Sequence, residues 1–173
     1  RADTDDAEFC RLYFPKVFTL SDNALHKYID SLDEGFYSIS GHRESGKSAR
    51  SYLGKAVKRL ALGVGGIISV NARTMDLAKR RCGSLMRIIK KNRLLMYDYD
   101  IKITKDSEEY SIVNGTHLVA GSVQTGLRNL LDDDFNRIDL ALNDDLTDKQ
   151  SGKRDKEKAV DFLEYEVKGQ LKQ

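Results

Sequence analysis

Apolar positions along the chain alternate between helical and strand-like spacings. Phe9, Leu12, Tyr13, Phe14, Val17 and Phe18 form an aromatic segment expected to pack on the domain, behind a polar acidic start (1–8) that reads as a frayed end. Ser21 can cap a short helix with Leu25, Tyr28, Ile29 and Leu32 on one face. Residues 36–40 read as a short strand, and the glycines at 41 and 46 break the pattern. From 47 to 62 the spacing of Tyr52, Leu53, Ala56, Val57, Leu60 and Ala61 predicts a helix, with Arg50, Lys55, Lys58 and Arg59 for its wet side. Gly63, Gly65 and Gly66 end it.

The alternation continues beyond those glycines. Residues 67–70 predict a buried strand. Met75, Ala78, Cys82, Leu85 and Ile89 then predict a second helix, with Lys90, Lys91 and Arg93 at its end. Short strands follow over 100–105, 110–113 and 117–121, the last two joined by the hairpin signal Asn114-Gly115. Residues 122–134 read as loop, 138–142 as an apolar strand, and 157–168 as a closing helix with Val160, Leu163 and Val167. Strand, helix, strand, helix and then strands predicts an α/β fold with a largely parallel sheet. The expected division is an N-terminal arm and helix over 1–35 and one domain over 36–173.

Composition narrows the class. The chain has 173 residues, 40% of them hydrophobic, which suits one domain with a real core. No apolar run reaches the ~20 residues of a membrane span. Cys10 and Cys82 offer neither a metal spacing nor a disulfide framework. A polar, acidic start gives no signal peptide, so the expectation is a soluble intracellular protein. Arg1 in place of an initiator Met reads as a piece of a longer chain. Lys and Arg total 29 against 27 Asp and Glu, so net charge gives no signature of nucleic-acid binding. The distribution is uneven, however: 42–93 is rich in Arg and Lys, and 130–148 in Asp.

The sharpest feature is Gly41-His42-Arg43-Glu44-Ser45-Gly46-Lys47-Ser48, which matches the P-loop pattern G-x-x-x-x-G-K-[ST]. Its glycines allow a turn that points several N–H groups at phosphate oxygens. Lys47 would neutralise the β- and γ-phosphates of ATP, and Ser48 would offer its hydroxyl to Mg²⁺. The helix beginning near Lys47 presents its positive end to the anion. Arg43, inside the loop, can reach phosphate or a neighbouring subunit. The strand before and the helix after supply the context that the motif requires.

Such a site also needs a carboxylate at the end of a buried strand and a group that orients the attacking water. The stretch Ile138-Asp139-Leu140-Ala141-Leu142-Asn143-Asp144-Asp145 fits, with Asp144 for the metal and Asp145 for the water. Asp139 and Asn143 interrupt the apolar run. Asp132, Asp133 and Asp134 compete, but only Leu130-Leu131 precedes them. Arg128, in the loop before the strand, could report on the γ-phosphate. His26, His42 and His117 make no ligand or triad pattern. Arg80, Arg81, Lys90, Lys91 and Arg93 are candidates for sequence-independent DNA contact, against the plainer reading of a solvated helix face.

Three blocks in order give a family resemblance. They are Tyr13-Phe14-Pro15 with Leu25-His26-Lys27; the 41–48 loop with its Arg43; and Gly121-Ser122-Val123-Gln124-Thr125-Gly126-Leu127-Arg128 followed by Arg137 and the strand to Asp144-Asp145-Leu146. With these the chain resembles, over 9–167, the ATPase domain of the large terminase subunit, the genome-packaging motor of tailed bacteriophages. The resemblance implies a P-loop NTPase three-layer fold, a mostly parallel central sheet flanked by helices with an antiparallel hairpin. It implies ATP hydrolysis with Mg²⁺ driving double-stranded DNA into a procapsid, in the cytoplasm of an infected bacterial host. It also implies a pentameric ring docked on a portal protein, a small terminase subunit as partner, and a nuclease domain beyond this chain. Lys47, Ser48 and Asp144 match the phosphate and metal groups, and Arg43 the basic residue within the loop. Asp145 stands where many relatives carry a catalytic Glu. Arg128 matches the Arg of an Arg-Gly pair, with Asn129 in place of the Gly.

The rival is a small phosphotransferase, a nucleotide or metabolite kinase. Some 35 residues precede the expected loop strand, and an Arg-rich lid is absent, both against that reading. A GTPase would want D-x-x-G and N-K-x-D, and neither occurs. A nucleotide-binding interaction module remains if Asp145 and Arg128 are not placed for chemistry.

Overall fold

A computed structural model describes residues 5–18, 24–32, 37, 39, 45–127, 138–147 and 151–168. Its centre is a five-stranded sheet in the order β2-β3-β4-β1-β5. The strands are β1 (Ile67–Ala72), β2 (Ile103–Asp106), β3 (Tyr110–Val113), β4 (Thr116–Ser122) and β5 (Ile138–Asn143). β1 runs parallel to both β4 and β5, with Ser69 opposite Val119 on one side and Ala141 on the other. Every residue of β1 is buried, as a central strand covered on both faces requires. β2 and β3 extend the sheet antiparallel beyond β4. The protein is thus a mixed α/β fold with a parallel core of three strands.

The hairpin between β3 and β4 turns at Asn114 and Gly115, with φ of 48° and 78°. Two successive positive φ angles match the right-handed twist of the flanking strands. Asn114 also works through its side chain. Its Nδ2 donates to the Ala61 carbonyl at 2.8 Å, and its Oδ1 accepts from the Lys102 N–H at 2.7 Å. Gly63, left-handed at φ 64°, ends the preceding helix, and a Cβ there would come within 2.7 Å of the Asn114 carbonyl oxygen. The turn and the helix end are therefore fitted to each other.

Side chains alternate across the sheet into two cores. Ile68, Val70 and Leu118 join Phe9 and Tyr13, Leu53 and Leu60, and Leu85 and Ile89 on one face. Ile67, Val119 and Ile138 join Leu127, Phe162 and Val167 on the other. Helices α1 (Asp6–Tyr13), α5 (Met75–Lys91) and, through Leu95, the short α6 (Arg93–Asp98) cover the first face together with the helical stretch 47–62. α7 (Lys153–Asp161), continued as a π-helix over Phe162–Val167, supplies the second core.

Several expectations need correction. The acidic start is helical from Asp6, because the Asp5 carboxylate caps α1 by accepting from the Ala7 N–H at 2.7 Å. The closing helix begins at Lys153, not 157, and it buries Ala159, Phe162 and Val167 while Val160 is 57% exposed. Within 9–18, Leu12 and Val17 are exposed and the aromatic rings are buried. The strand expected over 36–40 falls largely outside the described residues; Tyr37 and Ile39, which are described, line cavities beside Leu140–Leu142 of β5. Ser21, the expected cap of α2 (Ala24–Asp30), also lies outside them.

Residues 47–62 form one continuous helix in three pieces: α3 (Lys47–Ala49), a π-helical stretch (Arg50–Val57) and α4 (Lys58–Leu62). Two of the cations expected on its wet side are buried. Arg50 is 0% exposed and Lys58 7%. Each has a carboxylate brought from elsewhere. Asp30 of α2 accepts from Arg50 Nε at 2.7 Å and from Nη2, and Asp6 of α1 accepts from Lys58 Nζ at 2.9 Å. Paired in this way, a cation can be buried without the full cost of a bare charge.

A candidate nucleotide site

Four residues of the loop at 41–48 are described. Gly46 has a left-handed φ of 78°, and Lys47 opens the helix immediately after it. The Gly46 carbonyl accepts from Arg50 N–H at 2.9 Å, the first turn of that helix. Ser45 is buried, and Lys47 and Ser48 are half-buried. Gly41, His42, Arg43 and Glu44 lie outside the described residues, as does Arg128.

Behind the loop stands α2. His26 Nε2 lies 2.9 Å from the Ser45 carbonyl oxygen. The left-handed φ favours glycine at 46, and a Cβ there would sit 2.7 Å from the same ring nitrogen and displace the His26 ring. α2 is anchored in turn by the Asp30–Arg50 pair, and Lys55 Nζ donates to the Asp30 and Leu32 carbonyls at 3.2 and 2.9 Å. Cations at the carboxyl end of a helix suit its dipole.

The carboxylates stand at the carboxyl end of β5, beside the carboxyl end of β1. Ligands of open parallel sheets gather at these strand ends. Asn71 of β1 fixes the approach. Its Nδ2 donates to Asn143 Oδ1 at 2.8 Å, and its carbonyl accepts from the Asp144 N–H at 3.2 Å. Asn143 thus has a partner that the sequence did not reveal. Asp139, the other interruption of the strand, accepts from the Ile67 N–H at 2.9 Å and so ties β5 to the start of β1.

Lys47, Ser48, Tyr52, Asn143 and Asp144 share one slot of about 150 Å³. Pockets for whole small molecules are roughly 300–1,000 Å³, so this slot suits a phosphate group. A larger cavity of about 530 Å³, lined by Ser51, Lys55, Leu140 and Leu142 among others, lies beside it. Tyr52 brings a buried hydroxyl that has no hydrogen-bond partner among the described residues. Burial pushes its pKa up; the nearby Asp144 and Asp145 charges act in the same direction, and Arg81 opposes them.

Asp145 is placed differently from Asp144. It does not line the slot, its φ is 51°, and its side chain is 72% exposed. Arg81 of α5 holds it: Nη2 donates to Asp145 Oδ2 at 2.8 Å, and Nη1 to the Asp144 carbonyl at 2.5 Å. Arg81 Nη2 is also 3.4 Å from Asp144 Oδ2. This removes Arg81 from the basic surface for which the sequence suggested DNA contact. Lys90 pairs with Asp106 but is exposed, as are Arg80, Lys91 and Arg93. Arg81, Tyr52 and Asn71 are the participants that sequence reasoning missed.

No family model, curated protein or solved structure matches the chain. The site must therefore be read from its own chemistry. Among the described residues no three His, Cys, Asp or Glu side chains gather to hold an ion by themselves. One hydroxyl and one carboxylate facing a phosphate-sized slot do fit Mg²⁺, which keeps its waters and takes one or two carboxylates plus substrate phosphate.

Proposed function

We propose that the chain is a Mg²⁺-dependent P-loop ATPase, the motor domain of a viral large terminase that drives double-stranded DNA into a procapsid. The observation that carries the ATPase reading is the shared slot: Lys47 and Ser48 at the start of one helix face Asp144 at the end of a buried parallel strand. The packaging reading rests further on the three sequence blocks described above.

In this reading the loop N–H groups from 41 to 48 cradle the phosphates, and Lys47 takes the charge of the β- and γ-oxygens. Ser48 and Asp144 would hold Mg²⁺, which would supply positive charge against the negative charge developing on the phosphate. Asp145 accepts a proton from the water that attacks the γ-phosphorus, as the bond to the ADP oxygen breaks and its electrons leave with ADP. Since Asp145 is turned to Arg81, it must swing into the slot to do so. Arg43 and Arg128 are the cations proposed to stabilise the transferring phosphoryl group, within one subunit or across a ring of subunits.

Double-stranded DNA of increasing length tests the motor. Phosphate release should rise several-fold with DNA of any sequence and fall steeply with salt, as phosphate contacts require. Turnover that appears only with an added phosphoryl acceptor would replace this reading with the kinase alternative.

A further inference from the structure

The contact of Arg81 with the carboxylate pair has a consequence beyond placing the pair. It rests on the ATPase reading above. Arg81 reaches the carboxyl end of β5 from the middle of α5, a helix carrying none of the residues assigned to nucleotide. It grips three groups at once: the Asp144 carbonyl, the Asp144 carboxylate and the Asp145 carboxylate. Its own side chain is only 17% exposed, whereas that of Asp145 is 72% exposed. An exposed carboxylate ordinarily gains little from an ion pair. Here the donor side chain is mostly buried, and one guanidinium spans two consecutive residues, the second in left-handed backbone. That arrangement ties Asp145 to a partner that, like Asp145 itself, does not line the slot.

We infer that Arg81 is a positioning residue that latches the site in a resting state: it holds Asp145 outside the slot and occupies the charge of Asp144, so that loading Mg²⁺ and nucleotide and freeing Asp145 are one coupled event. A guanidinium 3.4 Å from Asp144 Oδ2 opposes a second cation at that carboxylate. Once Asp144 turns to an ion, Arg81 loses part of its grip, and the Asp145 contact weakens with it. α5, which packs on β1 and β4 across the same core, thereby becomes an element through which a neighbour or DNA can set the activity of the site.

The test measures binding and turnover together. A fluorescent ADP analogue is titrated with Mg²⁺ against the parent chain, Arg81→Ala, Arg81→Gln, Arg81→Lys and Arg87→Ala, an exposed cation on the same helix. Half-saturating Mg²⁺ should fall at least about fivefold in Arg81→Ala and Arg81→Gln, stay near the parent value in Arg81→Lys, and not move in Arg87→Ala. At limiting Mg²⁺, ATP turnover by Arg81→Ala should exceed that of the parent, and the gain should vanish in Arg81→Ala/Asp145→Ala. Unchanged half-saturation in both the Ala and Gln variants overturns the latch. So does an equal shift in Arg87→Ala, which would reduce it to general charge. If the parent binds no nucleotide in a Lys47-dependent manner, the ATPase reading itself fails, a result distinct from either.

Discussion

The helix over 47–62 and α5 lie against the same face of the sheet and share one hydrophobic core, but they are held there by different means. α5 is a regular amphipathic helix. Thr74 caps it, Asp76 stands in its first turn and Lys90 and Lys91 in its last, and Ala78, Cys82, Leu85, Met86 and Ile89 form its buried face. The 47–62 helix is wound wide over Arg50–Val57 and buries two cations, each paired with an acid from another helix. Every side chain that α5 buries is apolar, and its ion pairs through Arg81 and Lys90 lie at its margins, whereas the other helix buries paired cations as well. Apolar surface is non-directional, whereas a hydrogen-bonded ion pair fixes rotation and register. On the proposed ATPase reading, the helix bearing Lys47 and Ser48 is the one that needs such fixing. π-helical turns recur at functional sites for a related reason, since they re-aim side chains at a small cost in stability.

Substitutions can break this contrast. Asp30→Ala leaves the buried Arg50 without its carboxylate and should cost about 3–5 kcal/mol, read from the denaturant midpoint. The double variant Asp30→Leu/Arg50→Met should recover most of that loss, because the penalty is a stranded charge and not a lost contact. On α5 the matching experiment is Ile89→Ala, where a cavity in the apolar core should cost about 3 kcal/mol. No second substitution should rescue it by removing a charge. Equal behaviour of the two helices in this pair of tests would erase the distinction.

Smaller effects sharpen it. Thr74 Oγ1 accepts from the Leu77 N–H at 3.4 Å, so Thr74→Ala should lower stability by about 1 kcal/mol. Burial pushes the Cys82 thiol up from 9.0 to about 12. Its thiolate is therefore disfavoured in the folded protein. The unfolded chain releases this proton first, so stability is unaffected by Cys82 below pH 9 and falls as pH rises from 9 toward 12. Cys82→Ala should remove that alkaline slope, with iodoacetamide labelling as an independent readout: slow in the folded chain and fast in denaturant.

The same contrast marks what the sequence made legible. α5, β1 and the Asn114-Gly115 hairpin follow from local signals, namely period and turn chemistry, and they stand where those signals placed them. The helix over 47–62 was legible in extent but not in surface. Nothing local distinguishes Arg50 from Arg59, because the partner of Arg50 is 20 residues earlier and that of Lys58 is 52 residues earlier. At the site, Lys47, Ser48 and Asp144 were named from motif and strand end, and the three line one slot. Arg81 was not, since its partners lie 63 and 64 residues later, and a basic helix residue ordinarily reads as solvated. Tyr52 escaped for a similar reason: its ring obeys the apolar period, and nothing local marks it as lining the slot. Ion pairs and polar contacts between distant segments carry no periodicity, so only the folded chain reveals them.

The most direct measurement is phosphate release from ATP with Mg²⁺ and no acceptor, for the parent chain, Lys47→Ala and Asp145→Ala across a range of protein concentrations. The account predicts hydrolysis by the parent, rising per molecule with concentration as subunits complete one another's sites, and its loss in both variants. A parent whose turnover survives Lys47→Ala would contradict it, because the slot between Lys47, Ser48 and Asp144 would then not be where ATP is cleaved.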